Sequence, residues 1–248
     1  MGGEQSMTEM SVNNIDISNY SARLLSYAVS GTTLTNNVSA NTNLVKMPAL
    51  YSTEYGTRTL TVTLTFFPCL DGCSAKGTEI TDRYAAATDN IARFEAELIG
   101  KTVEIALPDG YIYTSIVTSI SAATFDSSGE HDVTYTFNAI RHKPTVTADV
   151  APNGKIYCQS TTPCKYKLIV TLPEQSSLIT VCGIVVINIA ANTPLVIDGE
   201  LGLITLGGVN KFLDSTLIDF PLLYPGTNTI SCNNSQADIQ VIYTPVYV

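Results

Sequence analysis

The clearest pattern in this chain is an alternation. In Thr59-Leu60-Thr61-Val62-Thr63-Leu64-Thr65-Phe66 every second residue is apolar. A period of two puts Leu60, Val62, Leu64 and Phe66 on one face and the threonine hydroxyls on the other. Runs of β-branched and aromatic residues spaced by Ser, Thr and Asn also cover Leu24 to Val29, Leu34 to Leu44 and Arg58 to Phe67, and predict half-buried strands. The period then changes. Ile80, Tyr84, Ala87, Ile91, Phe94 and Leu98 recur at intervals of 4, 3, 4, 3 and 4, one continuous stripe on a helix. The helix is expected over 79–99, about 30 Å long at 1.5 Å per residue. Thr78 stands at its cap, Glu79 and Asp82 in its first turn, and Gly100 at its left-handed stop. The stripe has two readings: the core of its own domain, or an interface helix that presents Ile80, Tyr84, Ile91, Phe94 and Leu98 to a sheet edge or a neighbouring subunit.

Strands resume with Val103, Ile105 and Leu107, turn at Pro108-Asp109-Gly110 and return through Tyr111 to Phe125, a hairpin by its turn chemistry. A polar loop, Ser127 to Asp132, leads to the alternating Val133, Tyr135, Phe137 and Ala139. Lys143-Pro144 and Pro152-Asn153-Gly154 break the pattern, so a domain boundary is expected between them, giving domains 1–145 and 146–248. In the second half the runs Lys165 to Leu172, Leu178 to Ile189, Pro194 to Leu206, Leu217 to Leu223, Asn228 to Cys232 and Ile239 to Tyr247 are separated by turn signals. Many short strands punctuated this way predict an antiparallel sandwich.

Composition agrees with a β-rich globular protein: 45% of the 248 residues are hydrophobic and 14% charged, with 13 Tyr and no Trp. The most apolar stretch, Ser177 to Ala191, is too short for a helical membrane span. Met1 to Ser11 is polar and acidic, unlike a secretion signal. Net charge is −9, which argues against gripping phosphate backbones. Residues 1–145 carry 15 acidic against 9 basic side chains, and the remainder 7 against 4. Such an excess serves solubility, and would equally line a conduit through which DNA must slide.

Candidate chemistry is sparse. The six cysteines, 69, 73, 158, 164, 182 and 232, lack the spacing of a zinc knuckle or a disulfide scaffold. Buried thiols are the expected state. Cys158 and Cys164 are nevertheless spaced to face each other across a bend, which leaves a bond between them open. The only histidines, His131 in a polar loop and His142 beside the boundary, belong to no Ser or Cys nucleophile motif. Gly207-Gly208 lacks the following helix of a phosphate-cradling loop. The carboxylate pairs Glu95 with Glu97 and Asp198 with Glu200 read as solvated surface. No enzyme, cofactor or metal site is expected.

The C-terminal hundred residues resemble the distal tail protein family of siphoviruses and of prophages in Gram-positive bacteria. The matching stretches are Ile197-Asp198-Gly199, Gly208-Val209-Asn210-Lys211-Phe212, Asp219-Phe220-Pro221-Leu222-Leu223, Pro225-Gly226-Thr227-Asn228 and Val241-Ile242-Tyr243-Thr244-Pro245, in that order. Gly56-Thr57-Arg58-Thr59-Leu60, the single helix and Leu107-Pro108-Asp109-Gly110 extend the likeness more loosely through the first half. The resemblance implies an N-terminal β-barrel with one helix, similar to tail-tube subunits, and a C-terminal galectin-like or carbohydrate-module-like β-sandwich. It implies a hexameric ring at the virion tail tip, assembled in the host cytoplasm. That ring would join the tail tube, tape measure, tail hub and receptor-binding protein and let DNA pass. Asp198, Gly199, Gly208, Asn210, Phe220, Pro221, Pro225, Gly226 and Asn228 are then fold determinants: the glycines offer backbone shapes other residues adopt poorly, and Asn228 accepts positive φ. Residues 1–10 have no counterpart in the family, so Met7 or Met10 is expected as the natural start, after vector-derived residues.

A carbohydrate-binding module or adhesin recognising host-surface glycans is the alternative, since its sandwich would look the same. Tyr224, Tyr243 and Tyr247 are the aromatic candidates for a sugar platform.

Overall fold

The computed structural model describes residues 10–32, 34–39, 49–68, 80–217 and 219–248. Residues 1–9, Cys69, Cys73, the expected cap Thr78, Glu79 and the end of the Leu34 to Leu44 run lie outside the described residues. The chain divides into two compact units, residues 1–141 with Val248 and residues 142–247.

The first unit contains β1 (Ser11–Val12), β2 (Ile15–Asp16), a 3-10 helix (Ile17–Tyr20), β3 (Ala22–Val29), β4 (Leu34–Ser39), β5 (Ala49–Tyr55), β6 (Arg58–Phe66), α1 (Ile80–Leu98), β7 (Val103–Ala106), β8 (Ile112–Ile120), β9 (Thr124–Phe125) and β10 (His131–His142). Its main sheet runs β2-β1-β7-β8-β10-β6-β3, with β9 beside β10, while β4 and β5 form a separate ribbon. Among the described residues the hydrogen-bonded path does not close, so the expected barrel is a curled half-barrel. Its two edge strands, β2 and β3, are joined by the 3-10 helix, and α1 packs against the open curl.

The alternation in β6 places its side chains as the sequence predicts. Leu60, Val62, Leu64 and Phe66 are wholly buried. On the other face Thr63 and Thr134 hydroxyls meet at 3.0 Å, and Thr65 donates to Asp132 at 2.6 Å across the β6–β10 ladder. From β10, Val133, Tyr135, Phe137 and Ala139 enter the same core. Phe94 of α1 meets Tyr20, Phe66 and Tyr135 at ring-centroid distances of 5.4, 5.6 and 5.3 Å, edge-on or tilted geometries that aromatic pairs prefer. The helix stops at Gly100, whose φ of 72° suits glycine. The return from Leu107 also needs one: Gly110 sits at φ 77° and donates to Leu107 O at 3.1 Å. The run expected from Tyr111 to Phe125 is interrupted after Ile120 and resumes only at β9.

The second unit contains β11 (Val146–Val150), β12 (Lys155–Cys158), β13 (Cys164–Thr171), β14 (Ser176–Val181), β15 (Ile184–Ile189), β16 (Leu195–Asp198), β17 (Leu203–Leu206), β18 (Val209–Asn210), a second 3-10 helix (Phe212–Asp214), β19 (Leu222–Leu223), β20 (Gly226–Thr229), β21 (Asp238–Tyr243) and β22 (Val246–Tyr247). One sheet runs β11-β21-β13-β16-β17-β18, with β19 beside β13. Two ribbons, β12–β20 and β14–β15, contribute Ile156, Cys158, Ile179, Val181, Ile184, Val186 and Ile189 to the core that the sheet builds from Leu168, Val170, Leu195, Ile197, Ile204, Ile239 and Val241. This is a layered, antiparallel β arrangement in which the central strands β13 and β21 bury alternate residues. The single run read from Leu178 to Ile189 is instead a hairpin. Cys182 and Gly183 turn it with φ of 46° and 81°, the left-handed pair that a tight hairpin with right-handed twist requires. Pro194 to Leu206 likewise splits into β16 and β17 around the turn that follows Asp198.

Candidate functional site

The positions singled out in the second unit lie at several turns, of which the one after Asp198 is the most heavily braced. Asp198 ends β16 opposite Lys167 of β13, and the chain must reverse at once to start β17. Its Oδ1 accepts from the N–H groups of Glu200 and Leu201 at 3.1 and 3.0 Å, and its Oδ2 accepts from Lys167 Nζ at 2.8 Å. Asp198 is 4% exposed, so it is not the solvated carboxylate its charge and its neighbour Glu200 suggest. Burial works to raise its carboxyl; the Lys167 hydrogen bond and charge, with the two backbone donors, outweigh it and hold the group below the ordinary carboxylate value. A buried carboxylate that accepts three hydrogen bonds in this way is a structural brace.

Gly199 is required for a different reason from the one read in the sequence. Its φ is outside the left-handed region. It donates to Tyr166 O at 3.0 Å, and a Cβ at this position would itself sit 3.0 Å from that oxygen. Close approach, not backbone handedness, demands glycine here. Gly208 does have positive φ, 84°, in open space. Asn210 Oδ1 accepts from Phe212 N at 2.8 Å and so starts the second 3-10 helix. Phe220 packs against the core, 3.9 Å from where a Cβ on Gly202 would lie. Pro221 is half-buried beside it and Pro225 exposed. Gly226 carries the positive φ of its turn, 93°, whereas Asn228 does not adopt one. Asn228 acts through its side chain: it accepts from Tyr224 N at 2.9 Å and donates to Tyr224 O at 2.7 Å and Gly226 O at 3.1 Å. These residues shape turns on the sheet; none is aimed at a shared cavity.

The helix stripe turns inward. Ala87, Phe94 and Leu98 are wholly buried in the first unit, while Tyr84 and Ile91 are half-buried. Phe94 and Leu98 therefore hold α1 to its own sheet and are not a free surface. Tyr84 sits 5.7 Å from Phe125 and 5.6 Å from His131, ring to ring, and Phe125 and His131 are 4.5 Å apart. His131 is not a loop residue as its polar flanks suggest: it opens β10, is wholly buried, and neither ring nitrogen has a hydrogen-bond partner. Burial pushes its pKa below the ordinary value.

Exposed apolar side chains are the feature that the sequence pattern concealed, because period alone does not say which strands lack a cover. In the first unit Leu25, Ile99, Ile116, Phe125 and Ile140 are exposed; in the second Leu201, Val209 and Leu213 are, Leu213 at 99%. Tyr243, one of the candidate sugar platforms, is buried and donates to Tyr157 O at 3.1 Å. Tyr247 is half-buried, with Lys143 Nζ 5.6 Å from its ring centre. Tyr224 and, unmarked by the sequence, Tyr157 are exposed. Among the described residues no group of three or more His, Cys, Asp or Glu side chains is placed to hold a metal ion, and no helix is long and apolar enough to cross a membrane.

Among solved structures the chain is similar to the SPP1 Dit protein, described as a paradigm of the hub adsorption apparatus in phages infecting Gram-positive bacteria. The TM-score is 0.72 at 14% identity, over 97% of this chain and 99% of that one. The chain has a Dit fold. Two structures of the phage p2 baseplate in its activated conformation, with Ca and with Sr, are more distantly similar. Their TM-scores are 0.45 and 0.44, each at 11% identity, over 93% and 94% of this chain and 92% and 97% of theirs. No protein-family model and no curated protein matches the sequence. The Dit likeness covers the residues of both units, the half-barrel with its helix and the β-rich second unit.

Proposed function

We propose that this chain is a structural subunit of a phage tail tip, a non-enzymatic Dit-like hub protein. The observation that carries the reading is the likeness to SPP1 Dit over nearly the full length of both chains. In this reading the first unit, expected over 1–145, forms a hexameric ring through which DNA passes, and the second, over 146–248, offers docking points to receptor-binding proteins. The ring joins the tail tube, tape measure, tail hub and receptor-binding protein, and is assembled in the host cytoplasm before release in the virion. Two features support a building-block role. The turns at Asp198, Asn210 and Asn228 commit polar side chains to shape, and the first unit leaves Leu25, Ile116 and Ile140 uncovered on its strands. Exposed apolar side chains on strands are what a repeated head-to-tail contact would bury.

Negative-stain images and mass photometry of the purified protein test this, with the tail-tube protein added if the chain alone stays monomeric. Six-fold rings are the expected result, lost on Ile116→Lys or Ile140→Lys while circular dichroism is unchanged. A monomer that neither self-associates nor binds the tube protein overturns the proposal. A second reading, a glycan-binding module, rests on the exposed rings of Tyr157 and Tyr224. Micromolar binding on a glycan array, abolished by Tyr224→Ala, is its test.

A further inference from the structure

Cys158 closes β12 and Cys164 opens β13. The bend between them alternates: Gln159, Thr161 and Pro163 face solvent, whereas Cys158, Ser160, Thr162 and Cys164 are buried. The inward set is thus small and sulfur- or oxygen-bearing at every position. The two thiols lie 3.6 Å apart, Sγ to Sγ. Cys158 pairs with Gly226 and Cys164 with Leu223, so the cysteines belong to two ladders that strand hydrogen bonding leaves separate, the β12–β20 ribbon and the pairing of β13 with β19.

We propose that Cys158 and Cys164 are a modification site, a thiol pair placed for oxidation by a small peroxide to an intramolecular disulfide that staples β12 to β13. The inference stands on this geometry and does not depend on the tail-tip reading. A disulfide bond is about 2.05 Å long, so the sulfurs must approach by roughly 1.5 Å, which side-chain rotation supplies without separating the strands. Cys164 is the more accessible of the two, 6% against 1% exposed, and is the initiating sulfur. Its thiolate attacks one oxygen of hydrogen peroxide: an S–O bond forms, the O–O bond breaks, and the departing hydroxide takes up the thiol proton as water. The Cys158 sulfur then attacks the sulfenic acid: the S–S bond forms, the S–O bond breaks, and the hydroxyl leaves with the Cys158 proton as a second water. Two thiols are oxidised and one peroxide is reduced.

Speed follows from the surroundings. Burial pushes the Cys164 thiol up to about 11, a hydrogen bond from Ser160 opposes this, and the neighbouring Cys158 adds to it. Thiolate is therefore scarce at neutral pH, and because the thiolate is the nucleophile the reaction quickens about tenfold per pH unit below that value. Slow, selective oxidation distinguishes such a pair from an exposed reactive thiol.

Tryptic mass spectrometry of the full chain reads this directly, because cleavage after Lys155 and Lys165 releases Ile156 to Lys165 with both cysteines and no others. The protein is exposed to hydrogen peroxide at several pH values, then unfolded in an alkylating agent. The expected peptide is two hydrogens lighter than its reduced form, carries no alkyl group, is restored by dithiothreitol, and forms faster as pH rises. In Cys158→Ser, Cys164 accumulates as sulfenic or higher acids with no bridge. A doubly alkylated peptide while other cysteines oxidise, a sulfinic Cys164 beside an alkylatable Cys158, or bridges from either residue to a different cysteine would each overturn the proposal.

Discussion

Lys167 and Asp198 face each other across the β13–β16 ladder, with Nζ 2.8 Å from Oδ2. The lysine side chain is 39% exposed and the aspartate side chain 6%, so the two partners do not contribute equally. Screening by solvent reduces the ion pair itself to under about 1 kcal/mol. The two backbone donors at the β16–β17 turn, by contrast, have Asp198 as their acceptor. Asp198→Ala strands both, and is expected to destabilise the second unit by about 2–4 kcal/mol; Lys167→Ala is expected to cost less than about 1 kcal/mol. Urea denaturation followed by circular dichroism checks the ratio. Equal losses would mean that the charge pair, not the turn, is what Asp198 stabilises. The native carboxyl lies below its ordinary value of 3.8. Its contribution is therefore complete above that value and is lost as pH falls through the lower folded one.

Two glycines should respond differently to the same probe. At Gly208 the φ of 84° is strained for any residue with a Cβ, but the space around it is open. Gly208→Ala is expected to cost about 1–2 kcal/mol and Gly208→Asn less, since asparagine tolerates that backbone region. At Gly199 the backbone is ordinary and the obstacle is the Tyr166 carbonyl. Alanine and asparagine should therefore be equally damaging there. Melting midpoints of the four variants decide it: rescue by asparagine at Gly199 would show that handedness, not contact, excludes other residues.

Where the sequence is legible, one residue's environment is set by near neighbours. β6 and α1 are readable because burial of one face imposes a period, two for Leu60 to Phe66 and 3.6 for Ala87, Phe94 and Leu98. What misleads is partnership at a distance. Asp198 looks solvated because Lys167 is thirty-one positions away, and the carboxylate's caps appear only once the turn is built. His131 sits among Ser128, Glu130 and Asp132, yet Tyr84 and Phe125 enclose it. The β14–β15 hairpin is hidden because Cys182-Gly183 lies inside an apolar run, without the Asn or Pro that marks most turns. Asn228 has the right residue type for a turn but serves it by hydrogen bonds rather than by φ.

Phe94 is the side chain by which α1 is fastened. It is wholly buried and touches three aromatic rings on three different elements, the 3-10 helix, β6 and β10. Phe94→Ala removes those contacts and leaves a cavity that the ring-lined surroundings cannot collapse to fill, at an expected cost of about 3–5 kcal/mol. Thr88→Ala, on the exposed side of the same helix, is expected to change stability by less than about 0.5 kcal/mol. Loss of the first unfolding transition in Phe94→Ala, with the second unit's transition retained, is the expected denaturation profile. Similar losses in both variants would mean that helix propensity, rather than packing, holds α1.

His131 makes the first unit sensitive to acid. The ring is enclosed by Phe125 and Tyr84, with Phe66 its register partner on β6. Its charged chain neighbours, Glu130 and Asp132, do not pair with it: the ring nitrogens have no partner, and Asp132 accepts from Thr65. Burial lowers the folded pKa below the ordinary 6.5, so the unfolded chain takes up a proton at higher pH than the folded one. Stability from the neutral ring is therefore complete above about 6.5 and declines as pH falls through that value, levelling off only below the folded pKa. His131→Phe keeps the ring's shape without its titration. Between about pH 7.5 and about pH 5.5 the wild-type urea midpoint of the first unit is expected to fall more than that of His131→Phe. Parallel declines would place the acid sensitivity elsewhere in the unit and show that the buried imidazole titrates no differently when the chain unfolds.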